Sequence, residues 1–497
     1  MPLNLASRTQ VSGHFFLRRR IAHGLLRRSV RMLIERERWQ KLGLILSAVL
    51  GVLVLIGAFV LSWLRPAGLV GTSKIVANNR TGEMWVQVDG RLHPVLNLVS
   101  ARLIAANPED PVFVSPAEID KYPKGPTVGI KGAPTATPRV LAPDMSRWSV
   151  CDSTSTTLAG LPAVTGIDGE LTLGAGAQVL GQGQAAVLLF GQQAFVVAGG
   201  VRMPVDLADR AVTGPLGIVP GHPVPVMSRA LFDALPAGGP LIVPTVPDAG
   251  APSPVALGVP LVNGAVVVTQ DVATAEDRFY VVSGDGVQPI SSVVAAMLRQ
   301  RDSFGFANPP RVTPDRLAKV PVRHVLNVDH YPAGPLTVVD SRDRPVTCVA
   351  WERGTQERQA RLSVISAREL PITAAQFVGR IPLVGGGDRG VQADQVVITD
   401  GAVTFISTTG SAQDSPARQT MWLLDATGTR FGVPYDEKAL QALGLNLADT
   451  RLAPWSMLQV WPQGPELSQV TARAVHGATP GAVAVLPGAA GVNQEGQ

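Results

Sequence analysis

Residues 42–64 carry no charged side chain over 23 consecutive positions and almost no polar one, and they directly follow a strongly basic segment. The uncharged stretch 171–201 is different, because Gln and Gly interrupt it throughout. At about 1.5 Å of rise per residue, the first run is long enough as a helix to cross a hydrocarbon core of about 30 Å. No water is available there to pair backbone groups, so a helix is the conformation that satisfies them. A cleaved signal peptide has a short basic region, an apolar stretch of about 7–15 residues and small residues at the cut. Here 41 residues precede the run, and Arg65, Pro66, Ala67 and Gly68 follow it. The sequence therefore predicts a retained single-pass anchor.

Charge gives the anchor a direction. Residues 1–41 hold ten Arg and Lys against two acids, a net charge of +8, while the whole chain carries +5 and residues 42–497 are net −3. Short basic flanks stay in the cytoplasm, which predicts a cytoplasmic N-terminus and an outer part of about 430 residues. Trp39 and Trp63 fit the two interfacial belts. The basic overall balance reports this tail and not a nucleic-acid-binding surface, so no nucleic acid is expected as a partner. Within the tail, apolar residues (Val11, Phe15, Leu17, Ile21, Leu25) and basic ones recur at helical steps, predicting a helix from about Gln10 to Lys41. A basic amphipathic helix beside a membrane lies on anionic lipid or grips a partner. The candidate contacts are Phe16, Arg18, Arg19, Arg20, Arg27, Arg28 and Arg31.

Outside, 51 Gly and 41 Pro make long helices unlikely and short strands with turns favourable. Runs rich in β-branched and aromatic residues occur at 83–88, 186–189, 194–198, 279–282, 396–399 and 403–406. The two cysteines, Cys151 and Cys348, each sit three residues from a tryptophan (Trp148 and Trp351). In an oxidising compartment one disulfide is the default, with two buried free thiols as the alternative. A bridge would bring the segments around 150 and 348 into one central module.

A further pattern occurs four times. Its first half is a strand, a Gly-containing turn, a proline and a short helix, at residues 84–97, 195–206, 279–291 and 421–436. Pro94, Pro204, Pro289 and Pro434 mark the turn positions, and Asn97, Asp206, Ser291 and Asp436 read as N-caps. The second half runs to a closing proline at Pro123, Pro236, Pro321 and Pro462. The spacing between copies is unequal, which argues against a solenoid. The predicted fold class is a single-pass membrane protein with a β-rich α+β outer part, in which four small strand–turn–helix repeats surround a central disulfide-pinned β domain. The expected divisions are a leader at 1–41, the span at 42–64, repeats at 65–130, 194–250, 251–325 and 420–476, a central domain formed from 131–193 and 326–419, and a disordered tail at 477–497.

The leader pattern of Gln10, Val11, Ser12 and Gly13 followed by Phe16, Leu17 and Arg18 to Arg20 resembles that of the EccB family of mycobacterial type VII (ESX) secretion systems. So do His93 to Leu103, Pro126 to Pro134, Trp148 with Cys151 and Asp152, and Phe431 to Pro434 with Leu443 to Leu445. The resemblance implies a component of an inner-membrane core complex with a periplasmic bulk, repeats around a central β domain, one disulfide and a multi-copy ring. It also implies as partners the EccC motor ATPase, EccD, EccE and a mycosin protease.

Members of such a family are sometimes labelled ATPases. A Walker A loop needs a lysine after glycine to reach the phosphates. None of the seven lysines follows a glycine. The Gly-rich stretches 174–176 and 385–390 read as turns, and no G-x-S-x-G is present. His324 and His330 near Asp329 lack further spaced ligands, so neither metal nor cofactor is expected. Three readings follow: a scaffold subunit, a nucleotide hydrolase, and a cell-wall-binding module. The residues favour the first.

Overall fold

The structure is a computed structural model that describes residues 7–28, 36–64, 68–154, 160–384, 391–399, 402–415, 420–477 and 483–486. The leader helix spans Arg8–Arg27. It opens on a capping box in which Ser7 Oγ accepts from the Gln10 backbone N–H and Gln10 Oε1 accepts from that of Ser7. It ends where Arg28 turns left-handed, at φ 52°, and donates its N–H to the Gly24 carbonyl. The helix expected to run from Gln10 to Lys41 is instead capped at Arg28, and a second helix is described over Arg36–Leu64, residues 29–35 lying outside the described residues. That second helix contains the stretch Trp39–Leu61, the one candidate span among the described residues, and its side chains stand exposed there.

Four places after the second helix share one construction. A strand pairs antiparallel with a second, which turns into a third at the sheet edge. A helix follows, and the chain then returns parallel to the first strand before a second, shorter helix. At the first place the elements are Ile75–Asn78, Met84–Val88, Arg91–Pro94, helix Leu98–Ala105, Val112–Val114 and helix Pro116–Ile119. The second uses Gln184–Phe190, Gln193–Ala198, Val201–Val205 and helices Arg210–Leu216 and Arg229–Ala234. The third uses Val266–Gln270, Asp277–Ser283, Gly286–Ile290 and helices Ser292–Arg301 and Pro314–Leu317. The fourth uses Phe405–Thr409, Met421–Leu424, Arg430–Val433, Arg451–Pro454 and helices Glu437–Leu443 and Trp455–Leu458.

The hairpin turns explain the glycines. Asp89 and Gly90 (φ 49° and 75°) and Gly199 and Gly200 (59° and 81°) have the paired positive φ of a two-residue turn that matches strand twist. At the fourth place the turn is longer, and Asp425 Oδ1 organises it by accepting from the N–H groups of Thr427 and Thr429. In each case the closing proline then locks the edge strand. The N–H groups of Leu92, Arg202, Val287 and Arg430 donate to the carbonyls of Pro123, Pro236, Pro321 and Pro462, each at 2.9 Å.

This register corrects two readings. Pro94, Pro204 and Pro289 do not lie in the turns. They sit on edge strands opposite Trp85, Phe195 and Tyr280, where a missing N–H breaks no ladder bond. Pro434 is not their counterpart, because the residue opposite Trp422 is Gly432. The longer turn displaces the alignment, and His93 therefore matches Met203, Gln288 and Phe431. It is a buried strand residue, not a turn residue. At the second helix the N-cap is Asp209, while Asp206 accepts from the Ala208 N–H in the approach.

Seven further strands build one sheet: Met145–Thr154, Pro162–Asp168, Ala177–Val179, Val346–Gly354, Arg361–Ala367, Ile381–Pro382 and Gln395–Ile398. Two distant segments thus make one sheet. The divisions differ from those expected in three places. Gln184–Phe190 belongs to the second hairpin sheet and Phe405–Thr409 to the fourth, since their hydrogen bonds run to those hairpins. Within the tail, Val483–Val485 pairs with Ala474–His476. Residues 478–482 and 487–497 of the tail, and residues 385–390, lie outside the described residues.

The four units pack in pairs. The first and fourth share a core of Val99, Leu103, Phe405, Leu423, Phe431 and Leu443, among others. The second and third share one containing Val196, Leu216, Val281, Val294 and Met297. One face of the seven-stranded sheet is covered by helices Arg229–Ala234 and Trp455–Leu458, from the second and fourth units, around Trp148, Trp351 and Trp461. Full burial of a single Leu or Val contributes about 1.5–3 kcal/mol, so these shared cores couple the units.

Candidate assembly surfaces and buried polar groups

The leader helix presents the apolar and basic residues singled out in the sequence. Val11, Phe15, Phe16, Leu17, Ile21, Leu25 and Leu26 are all exposed, between 44% and 85%. Arg18, Arg19 and Arg20 are exposed on the same helix. An exposed apolar and cationic surface of this kind is costly in water and is satisfied by an anionic lipid interface or an acidic, apolar partner. Arg27 ends the helix and Arg28 caps it. Arg31 lies outside the described residues.

In the outer part Cys151 and Cys348 are bonded, directly opposite each other on strands Met145–Thr154 and Val346–Gly354, with Cα atoms 4.0 Å apart. The bridge lies on the sheet face away from the tryptophans, among Ile167, Val346, Ile365 and Val397. Asp152, the next residue, points to the other face. There it receives the Ser228 backbone N–H and hydroxyl, and Ser228 in turn caps helix Arg229–Ala234 by accepting from the Leu231 N–H. Burial pushes the Asp152 carboxyl up to about 7. The Ser228 hydrogen bonds oppose that rise and nearby Asp394 adds to it.

Asp168 is wholly buried at the end of its strand. Burial raises its carboxyl well above the usual range, opposed by a hydrogen bond from the Val403 N–H. Arg430 is the cationic counterpart. Its guanidinium lies against both Trp422 and Trp455, 4.4 and 4.8 Å from their ring centroids, the two rings themselves being 5.7 Å apart, and Nε donates to the Trp461 carbonyl. No salt bridge is found for it among the described residues, and burial lowers its pKa to about 10. Arg202, at the matching position of the second unit, lies 3.8 Å from the Phe232 ring centroid. Asp168, Arg202 and Arg430 are not among the residues singled out in the sequence, and Asp152 enters there only as the neighbour of Cys151 in the family resemblance. Two of them had a usable signal, since each Arg sits at the same offset after a turn in a repeated pattern.

Several histidine rings are held by backbone carbonyls. The His93 and His476 rings hydrogen-bond the carbonyls of Pro126 and Gly129, and His330 bonds that of Pro240. Among the described residues no three His, Cys, Asp or Glu gather as a metal site. Gly174 to Gly176 leads into strand Ala177–Val179 without opening a helix. This arrangement can hold surfaces in fixed relation.

The family described as "Type VII secretion system ESX-1, transport TM domain B" matches residues 3–481. The Mycobacterium tuberculosis protein named "ESX-2 secretion system ATPase EccB2" is 41% identical over 493 residues, covering 98% of each chain. A subunit of an intact ESX-5 inner membrane complex with C3 symmetry is similar at a TM-score of 0.75 and 38% identity, covering 99% of both chains. A chain from the periplasmic assembly of an ESX-5 inner membrane complex matches 84% of this chain and 100% of its own, with a TM-score of 0.73 and 40% identity. By sequence along nearly its whole length, and by fold, the chain belongs to the EccB family of type VII secretion systems.

Proposed function

We propose that this chain is a structural subunit of a type VII inner-membrane complex, anchored by one helix, with a cytoplasmic leader and a periplasmic bulk that packs against further copies and other subunits. The observation that carries this reading is the coupling of four hairpin–helix units, in two pairs with shared cores, to one disulfide-bridged sheet. Such a body holds its outer surfaces in fixed positions, as a scaffold requires. It is a set of four divergent repeats around a central β domain. The C3 symmetry of the similar ESX-5 complex supports self-association. The partners are the EccC motor, EccD, EccE and a mycosin protease. Through Phe16, Arg18, Arg19, Arg20, Arg27, Arg28 and Arg31 the leader contacts anionic lipid or one of these partners.

Deleting residues 8–28 while keeping the anchor tests the proposal. Partner subunits should no longer co-purify, while the outer part keeps its disulfide and its protease resistance. A complex that co-purifies undiminished would remove the leader from the assembly mechanism. The name of the M. tuberculosis relative includes ATPase, and no lysine of this chain stands where a Walker A loop places it. ATP turnover by the purified full chain, lost on a point substitution that leaves the fold intact, would replace the scaffold reading with an enzymatic one.

A further inference from the structure

Gly68 comes four positions after Leu64, the last residue of the anchor helix. Four residues span at most about 14 Å, at about 3.5 Å each. At Gly68 the chain already lies against the first unit, since a Cβ built there would stand 3.9 Å from the carbonyl oxygen of Phe113. Two residues on, Val70 is buried with Val76 and Val114 of that unit's sheet. The strand Val112–Val114 is therefore held within about 20 Å of the helix end, whichever way the rest of the body turns.

That edge is apolar where it meets solvent. Leu69, Val112 and Phe113 are 48%, 37% and 61% exposed. Val112–Val114 is the last strand of its sheet, paired with Ile75–Asn78 and with no other described strand. Strand alternation accounts for Val114 turning inward and Phe113 turning out. It does not account for a phenylalanine at the outward position, and clustered exposed apolar side chains mark a contact with protein or membrane. The charged neighbours are mixed in sign: Glu109 and Asp110 precede the strand, and Arg80 follows the strand it pairs with. The contact is thus apolar in kind.

We propose that Leu69, Val112 and Phe113 seat in the headgroup–acyl boundary of the leaflet where the anchor ends, and so fix the tilt of the first unit on the membrane. This rests on the anchor reading. A protein partner could meet the body anywhere on its surface, whereas the short tether presents this edge to lipid. It also makes the contact intramolecular, so a patch too small to recruit a soluble protein is sufficient here.

The test uses the full chain in phosphatidylcholine nanodiscs, with an NBD fluorophore on one introduced cysteine at a time. Cys151 and Cys348 are bonded and buried and do not react. Val49→Cys reports the anchor. Phe113→Cys reports the patch, with the flat apolar dye in place of the ring. Val272→Cys, at a position 87% exposed on the third unit, gives the background. Quenching is read with lipids carrying a nitroxide either near the headgroup or near the chain end. Val49 should be quenched best by the deep nitroxide. Phe113 should be quenched by the shallow one about threefold more than Val272. Adding Leu69→Asp should remove most of that difference. All four positions are exposed, so none of the substitutions opens the core. Without quenching at Val49 the anchor reading fails, and this proposal with it. With quenching at Val49 but none above background at Phe113, the anchor stands and the proposal is overturned. Quenching at Phe113 that survives Leu69→Asp overturns it equally.

Discussion

Asp152 and Ser228 join the central sheet to the second unit through two short bonds. The Ser228 N–H donates to Oδ2 and its hydroxyl to Oδ1, both at 2.6 Å. The helix Arg229–Ala234 is thereby capped through a residue that is itself held by the sheet, one position from the disulfide.

This contact predicts a pH dependence. With its pKa raised to about 7 in the folded chain, Asp152 holds its proton longer than in the unfolded chain, where carboxyls release near 3.9. Between those values the folded state binds more protons, so stability is greatest below about pH 4, falls as pH rises toward 7, and is flat above. Asp168, raised in the same direction, adds to the slope. Thermal unfolding between pH 4.5 and 8 should show the decline, and Asp152→Asn should reduce it. An unchanged slope in that variant would exclude Asp152 as a source.

The disulfide predicts a large stability term. It closes a loop of 197 residues, for which chain-entropy reasoning gives about 5 kcal/mol before strain. Cys151→Ser with Cys348→Ser should lower the urea midpoint of the outer part strongly. The loss should show first in the central sheet, whose two sources the bridge joins. Equal midpoints for oxidised and double-Ser chains would contradict this.

The anchor, the basic leader and the hairpins were legible in the sequence because local signals specify them: an uncharged run, helical steps, and glycine turns between alternating strands. Phe195 and Gly200, or Tyr280 and Gly286, lie within one hairpin each. What was not legible depends on distant partners. The first strand of the second unit, Gln184–Phe190, reads like any buried strand, and only its pairing with Gln193–Ala198 assigns it. Pro434 misled because proline was used as the marker, while the position is defined by what faces Trp422. The end of the leader helix at Arg28 carries no Gly or Pro to announce it. The patch of Leu69 and Phe113 draws on two segments that no spacing rule brings together.

Arg430 yields a prediction about charge. Its Nη1 is buried without a hydrogen-bond partner among the described residues, and no acid compensates it. Replacing an uncompensated buried ion by an apolar side chain of similar length removes a desolvation cost. Arg430→Met should leave stability unchanged or raise it by about 1–2 kcal/mol. Arg430→Ala should lower it by about 2–4 kcal/mol, since the space its side chain fills against Trp422 and Trp455 then empties. Equilibrium denaturation of both variants separates packing from charge. A Met variant as damaged as the Ala variant would mean that the cation–indole contacts and the Nε bond outweigh desolvation.

Gly464 allows a sharper test of the repeated lock between edge strand and returning chain. Its N–H donates to the Arg430 carbonyl at 2.9 Å, and a Cβ built there would stand 2.3 Å from Cε1 of Phe431. The ring is buried and cannot withdraw without disturbing the core shared by the first and fourth units. Gly464→Ala should therefore cost about 1–3 kcal/mol by overpacking. Phe431→Leu alone should cost a similar amount by leaving a cavity. In combination the leucine vacates the space the new methyl needs, so the double variant should be less destabilised than the two costs added. Gly125 stands in the same relation to His93, at 2.1 Å from its Cε1, and should show the same sub-additivity with His93→Ser. Strictly additive losses in both double-mutant cycles would mean that the glycines are required for backbone reasons and not for the side chains they face.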